Sequence, residues 1–311
     1  MNPASASFPS SRHWRDRLIK WFVRQLARLP FRAIGWVGAG LGRLSYRFRS
    51  KEVATARVNL SLCFPAMAEH DRESLVRRNF VETGRSLAQM LRLFAGKPMD
   101  LDALVDENGF IEACKERVAL GRGLIIALPH LGNWELIAYR ITKAGPATAL
   151  YRPPRLTALD SLLREGRMRS GISVVPIDRQ GLKTLHTALR DGEIVGILPD
   201  QVPKAAGAAG VVAPFFGHPA MTMTLVNRLA RRHQTPVIFC CAVAQPGAVK
   251  HRFHFFDGEP AIADADGEVA AAALNRGVER CVRGFPAYYQ WTYRRFEIPG
   301  GDYSNPYKQA R

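Results

Sequence analysis

The sequence predicts an α/β fold: a mixed, mostly parallel sheet flanked by helices, with a helical N-terminal region ahead of it. Three observations predict this. Short, wholly apolar runs recur after residue 121, amphipathic stretches of helical length fall between them, and the first third carries apolar residues at helical rather than strand spacing.

Taken in order, residues 14–48 alternate Trp, Phe, Ile, Leu and Val with Arg at helical spacing, and helical periodicity continues through 52–62 and 72–94, with Asp71 as a plausible N-cap. After Gly121 and Gly123 the run LIIALP (124–129) has the composition of a buried parallel strand, and a helical stretch follows at 134–143. Further apolar runs at 148–151, 173–177, 194–198 and 237–243 read as strands, and 158–169, 182–190 and 222–233 as the helices between them. No internal repeat is visible, and AAGAAG (205–210) reads as a loop. Because chemistry in such sheets gathers at the carboxyl ends of strands, PHLGN (129–133), YRP (151–153), ID (177–178) and PDQ (199–201) are the segments to inspect.

The chain has 311 residues, 44 Lys plus Arg against 27 Asp plus Glu, and 47% hydrophobic residues, enough to bury a sizeable core. Of the net charge of +17, the first 60 residues contribute +10. Arg outnumbers Lys 35 to 9, which favours forked recognition of phosphate or carboxylate. The five cysteines form no CxxC pair, which excludes a zinc ribbon, a thioredoxin-type motif and a disulfide-framed module and suits a reducing compartment. Arg24, Arg28 and Arg32 interrupt the N-terminal apolar residues, and the longest uncharged stretch there, 33–42, is half of the roughly 20 residues that span a bilayer. A basic helix with an aromatic and aliphatic face either lies in the lipid interface or packs on the domain behind it.

His130 follows the apolar run directly, and Glu135 lies five residues on, in the first turn of a helix that Asn133 can cap. Folded back on itself, this segment lets the carboxylate reach one imidazole nitrogen, the arrangement of a general base and its orienter. The same spacing also suits a loop histidine and a carboxylate resting on a helix dipole. Arg152, Arg164, Arg167, Arg169 and Arg179 fall around the second and third strand ends, where they suit phosphates, a carrier protein's acidic surface, or simply solvent. Asp200 ends the fourth strand, suited to orienting an arginine or hydroxyl or to forming a turn. VVAPFFGHPA (211–220) suits either the wall of an acyl pocket, centred on 211–216, or ordinary core. No GxSxG, HExxH, GxxxxGK[ST] or strand-following GxGxxG occurs, and His251 and His254 lack ligand partners at metal spacing. Charge is the only pointer to nucleic acid, with neither interleaved stacking aromatics nor a binding motif beside it.

Seven blocks, NLSLCFP (59–65), PHLGNWE (129–135), YRPPRLTALDSLLREGRMRSG (151–171), IDRQGLK (177–183), LPDQ (198–201), VAPFFGHPAMT (212–222) and QWTYRRFE (290–297), occur in an order that resembles the lauroyl/myristoyl acyltransferases of lipid A biosynthesis, within the lysophospholipid acyltransferase superfamily. The resemblance implies a glycerolipid acyltransferase-like domain over 49–311, behind a basic membrane-association segment over 1–48. It implies an HxxxxE dyad with His130 as base and Glu135 as partner, a substrate-binding Arg167, and a structural or binding role for Asp200. Arg152, Arg164, Arg179 and Asn133 are the further substrate-binding candidates. The implied reaction moves a fatty acyl group from acyl carrier protein, or from acyl-CoA, to a hydroxyl of a phosphorylated, acylated disaccharide, with no metal and no cofactor beyond the acyl donor. The implied place is the cytoplasmic face of the inner membrane, against anionic lipid, with no nucleic acid as partner. In this mechanism Glu135 fixes the imidazole tautomer, and backbone amides near Gly132 and Asn133 or the guanidinium of Arg167 stabilise the oxyanion. The same dyad acting on water would make a thioesterase, and a lysophospholipid, glycolipid or amino-acid lipid is the alternative acceptor. The sequence departs from the family in its short, arginine-broken N-terminal apolar segment, which implies peripheral or shallow attachment, and in VPKAAGAAG after PDQ.

Overall fold

The computed structural model describes residues 11–48, 50–151, 157–201, 210–246, 250–299 and 303–308. Four helices come first: α1 (Ser11–Leu26), α2 (Phe31–Arg47), α3 (Lys51–Cys63) and α4 (Glu69–Ala95). Strands and helices then alternate through β1 (Val105–Asp106), α5 (Phe110–Val118), β2 (Leu124–Ala127), α6 (Trp134–Ile141), β3 (Ala147–Tyr151), α7 (Thr157–Ser170), β4 (Ser173–Pro176), α8 (Arg179–Arg190) and β5 (Ile194–Ile197). A hairpin, β6 (Gly210–Phe215) and β7 (His218–Met223), precedes α9 (Leu225–His233), β8 (Val237–Ala244), β9 (His251–Asp257) and α10 (Gly267–Gly284).

The main sheet has the order β1-β9-β8-β2-β5-β3-β4. Its described pairings are parallel except β8 with β9, so the sheet is mixed and mostly parallel, as the alternation predicts. β2 is buried along its whole length because helices cover both faces, which is why it reads as a continuous apolar run. Ile125, Ala127, Val195 and Phe239 pack under α3, α4, α8, α9 and α10, while Leu124, Ile126, Ile194 and Ile238 pack under α5 and α6.

Several local expectations are corrected. Residues 14–48 form two helices rather than one, because Pro30 lacks an N–H and biases the residue before it away from the helix. The N-cap of α4 is Ala68, and Asp71 lies in the first turn, where its charge still suits the helix dipole. AAGAAG falls outside the described residues apart from Gly210, which begins β6. The segment 211–220 does not line the slit described below. It forms the β6–β7 hairpin, whose two-residue turn has φ of 51° at Phe216 and 78° at Gly217, and Phe215 and Ala220 are core.

Two features of the helical region matter below. A Cβ on Gly38 would lie 2.2 Å from the Gly84 carbonyl oxygen, and one on Gly84 would lie 2.3 Å from that of Gly38, so α2 and α4 touch backbone to backbone. On the outside, Trp14, Leu18, Trp21 and Phe22 of α1 and Trp36, Leu41 and Leu44 of α2 are exposed. Among the described residues no helix is long and apolar enough to cross a membrane.

Candidate active site

The register of the parallel sheet builds the site. Ala127 of β2 and Ile197 of β5 are partners, and His130 and Asp200 each follow three residues later, at neighbouring strand ends. Asp200 is buried, and it accepts hydrogen bonds from the His130 ring at Nδ1 (2.8 Å) and from the His130 backbone N–H (3.0 Å). Burial pushes its carboxyl up, but the charge of His130 and these two hydrogen bonds outweigh burial and hold it below the usual carboxylate range. An ionised carboxylate can only accept, so Nδ1 carries the proton and Nε2 keeps the basic lone pair. The edge of Trp134 packs against the ring at 5.2 Å between centroids.

Glu135 does not take the place predicted for it on the imidazole. It lies in the first turn of α6, 4% exposed, and accepts from Arg167 Nη2 of α7 at 2.5 Å. The helix turns its carboxylate towards α7, while the neighbouring strand supplies the partner of His130. The guanidinium of Arg167 also lies over the rings of Tyr151 (5.1 Å) and Phe94 (5.8 Å).

The loop between β2 and α6 has little backbone freedom. Gly132 N donates to Tyr288 O at 3.0 Å, Asn133 N to Ala242 O at 2.9 Å, and Gln290 N to His130 O at 2.9 Å. Gly132 has φ of +65°, and a Cβ there would fall 2.0 Å from Ala242 O, so glycine is required twice over. The amides of Gly132 and Asn133, predicted as oxyanion donors, are therefore already engaged. Asn133 holds the N-cap position of α6 without the predicted side-chain cap, and its fully buried carboxamide has no hydrogen-bond partner among the described residues. Behind the loop, Asn79 Nδ2 of α4 donates to Tyr289 O (2.6 Å) and Ala287 O (2.9 Å), and Asn59 Nδ2 of α3 donates to Trp291 O (2.6 Å). Gln201 Nε2 donates to Gln290 Oε1 at 2.7 Å. Sequence reasoning missed this segment as a support, since nothing local in QWTYRRFE shows what its backbone holds.

The remaining arginines separate. Arg164 shares the Tyr151 ring at 5.6 Å and pairs with Asp160 (3.0 Å), so it sits beside Arg167 over the same ring. Arg169 instead donates to the carbonyls of Leu93 and Phe94 at the end of α4, a structural task. Arg179 is exposed at the start of α8, and Arg152 lies outside the described residues. His251 packs edge-on against Phe31, and His254 lies tilted against Phe285. Among the described residues no three metal-ligating side chains gather.

Below Glu135 and Arg167 a narrow apolar slit of about 50 Å³ runs between the sheet and the helices α6 and α7, lined by Leu128, Ile137, Ile141, Ala149, Gly196 and neighbours. The site thus combines a tautomer-fixed imidazole, a guanidinium held by a buried carboxylate, and an apolar slit opening beside them.

Comparison with known proteins identifies the family. Residues 1–297 match the bacterial lipid A biosynthesis acyltransferase family. The chain is 30% identical over 290 residues to the lipid A biosynthesis lauroyltransferase of Escherichia coli (strain K12), covering 92% of each. It is 26% identical over 305 residues to the lipid A biosynthesis palmitoleoyltransferase of the same organism, covering 96% of this chain and 97% of that one. It is 24% identical over 306 residues to the corresponding myristoyltransferase, covering 97% and 93%. With residues 1–297 matched, the chain is an acyltransferase and belongs to the bacterial lipid A biosynthesis acyltransferase family.

Proposed function

We propose that the chain transfers a fatty acyl group from an acyl carrier protein thioester to a hydroxyl of a phosphorylated lipid A precursor, with His130 as general base. The observation that carries this is the hydrogen bond from His130 Nδ1 to the buried, ionised Asp200, which leaves Nε2 to take a proton. The acceptor oxygen attacks the thioester carbonyl as its proton passes to Nε2. The tetrahedral intermediate collapses with loss of the C–S bond, and the imidazolium protonates the departing thiolate. The thioester carries the activation, so no further cofactor is needed.

Asp200 takes the orienting role, and Glu135 acts by holding Arg167. With the amides of Gly132 and Asn133 engaged, the guanidinium of Arg167 is the oxyanion donor, using N–H groups other than the one given to Glu135. Arg164, next to it on α7, and Arg179 are binding groups for the acceptor's phosphates or the carrier's acidic surface, and acyl-CoA is the alternative donor. The exposed aromatic and aliphatic residues of α1 and α2, among Arg15, Arg17, Lys20, Arg24, Arg28 and Arg32, support peripheral docking on anionic lipid at the cytoplasmic face of the inner membrane.

The test is the mass spectrum of lipid A from a host lacking this gene, complemented with wild type or His130→Ala. Loss of one acyl chain, restored by wild type alone, supports the reading. An unchanged spectrum overturns the lipid A acceptor and turns the search to other lipids of the same strains.

A further inference from the structure

Gly196 lies inside β5, between register partners Ile126 of β2 and Ala149 of β3. A glycine weakens a strand interior, and two reasons usually retain it: a φ that other residues avoid, or a neighbour too close to admit a Cβ. Neither applies. Gly196 is absent from the positive-φ glycines, and a Cβ on it would meet nothing nearer than Ala149 Cβ at 3.8 Å and Leu128 Cδ1 at 3.9 Å. What the missing side chain leaves is room, and that room belongs to the slit under α6 and α7.

We infer that this slit is the acyl-chain site and that Gly196 determines how long a chain it admits. The inference rests on the acyl-transfer reading above and adds a specificity-determining residue to it. The lining runs from Leu128 and Leu198, beside the catalytic pair, down to Ile141 and Ile194. Four strand steps separate Leu198 from Ile194, a depth of about 13 Å. An extended alkyl chain advances about 1.3 Å per carbon, so this depth takes about ten carbons beyond the mouth. Gly196 stands half-way, and a large side chain there would stop the chain after about five. Ala149 beside it and Ala138 on α6, one turn below Trp134, keep the slit open at the same level. At about 50 Å³ the slit is narrower than such a chain, so a wall gives way as the chain enters. The helix α7 faces the slit through Arg167 and Ser170, which places the bound thioester carbonyl against Arg167 at the mouth.

The experiment measures kcat/KM of the full-length protein with acyl carrier protein thioesters in even-carbon steps from octanoyl to palmitoyl, on one lipid acceptor. Each methylene kept out of the slit forfeits about fourfold in binding, so Gly196→Leu is expected to raise the preference for octanoyl over dodecanoyl about sixtyfold. Gly196→Ala should shift it in the same direction by less, and Ala138→Leu reads the slit from the helix without touching the strand. Thermal melting confirms which variants are folded. A chain-length profile that stays unchanged in the folded variants, or an equal loss at every length, overturns the inference. Wild-type protein that transfers no chain from any donor would instead sink the acyl-transfer reading on which the inference rests.

Discussion

Asp200 grips His130 twice, at ring Nδ1 (2.8 Å) and at the backbone N–H (3.0 Å), and so fixes both the tautomer and the place of the imidazole. Asp200→Asn keeps the shape but offers an N–H to one of the two donors. Turnover should fall by about 10³–10⁴ with the fold retained, as when an orienting carboxylate is lost from a triad. Glu135→Gln should leave the tautomer of His130 unaltered in ¹⁵N spectra, whereas Asp200→Asn should change it. The reverse pattern would return the orienting role to Glu135.

Glu135 is buried with Arg167 as its ion-pair partner. Removing one side of such a pair strands the other, so Arg167→Ala should cost about 3–5 kcal/mol in urea unfolding. Adding Glu135→Gln to Arg167→Ala should recover a good part of that. If the double variant is no more stable than the single, the loss comes from packing over Tyr151 and Phe94 instead.

The contact of α2 with α4 leaves no room for a methyl group. Gly84→Ala should destabilise the chain by about 1–3 kcal/mol, because two backbones must separate. Gly40, whose Cβ position meets nothing within 4 Å, is the control, and Gly40→Ala should be neutral or stabilising. Melting temperatures of the two variants decide it.

His186 Nδ1 of α8 lies 2.8 Å from His233 Nε2 of α9. Burial lowers both pKa values, and the positive charge of His233, Arg232 and Arg228 adds to it at His186, as do Arg232 and Arg190 at His233. The unfolded chain therefore binds more protons below about pH 6.5. The contribution is complete above that pH and is lost as the pH falls through it. The urea midpoint should drop between about pH 8 and about pH 5.5 by less in a His186→Gln/His233→Gln variant than in the wild type.

The exposed tryptophans of α1 and α2 report docking directly. On anionic vesicles their emission should shift to the blue, and added salt should weaken binding. Trp21→Ala together with Phe22→Ala should lower partitioning at least about tenfold. Equal binding to neutral vesicles at all salt concentrations would count against an electrostatic component.

Much of the fold is legible along the chain because β2, β3, β5 and β8 are largely buried and, like the more exposed edge strand β4, bounded by turns, so their apolar runs stand out. The two-residue β1, the β6–β7 hairpin and α10 are not, because their character depends on packing partners distant in sequence. His130, Glu135, Arg167 and Asp200 are all visible as candidates, but their pairing is not. Local spacing favours Glu135 as the partner of His130, five residues away, over Asp200, seventy away. The β2–β5 register reverses that order of distance, since neighbouring parallel strands bring together residues separated by a whole crossover.

That register has a consequence for how the enzyme tolerates change. The separation of His130 and Asp200 is the spacing of two hydrogen-bonded strands, counted three residues beyond Ala127 and Ile197. Insertions or deletions beyond Gln201, or in the crossover between the strands, alter neither count. A single residue added between Ala127 and His130, or between Ile197 and Asp200, alters one of them. The distance from His130 to Asp200 is thus written into a short ruled scale, and the chain outside it can change without recalibrating that scale.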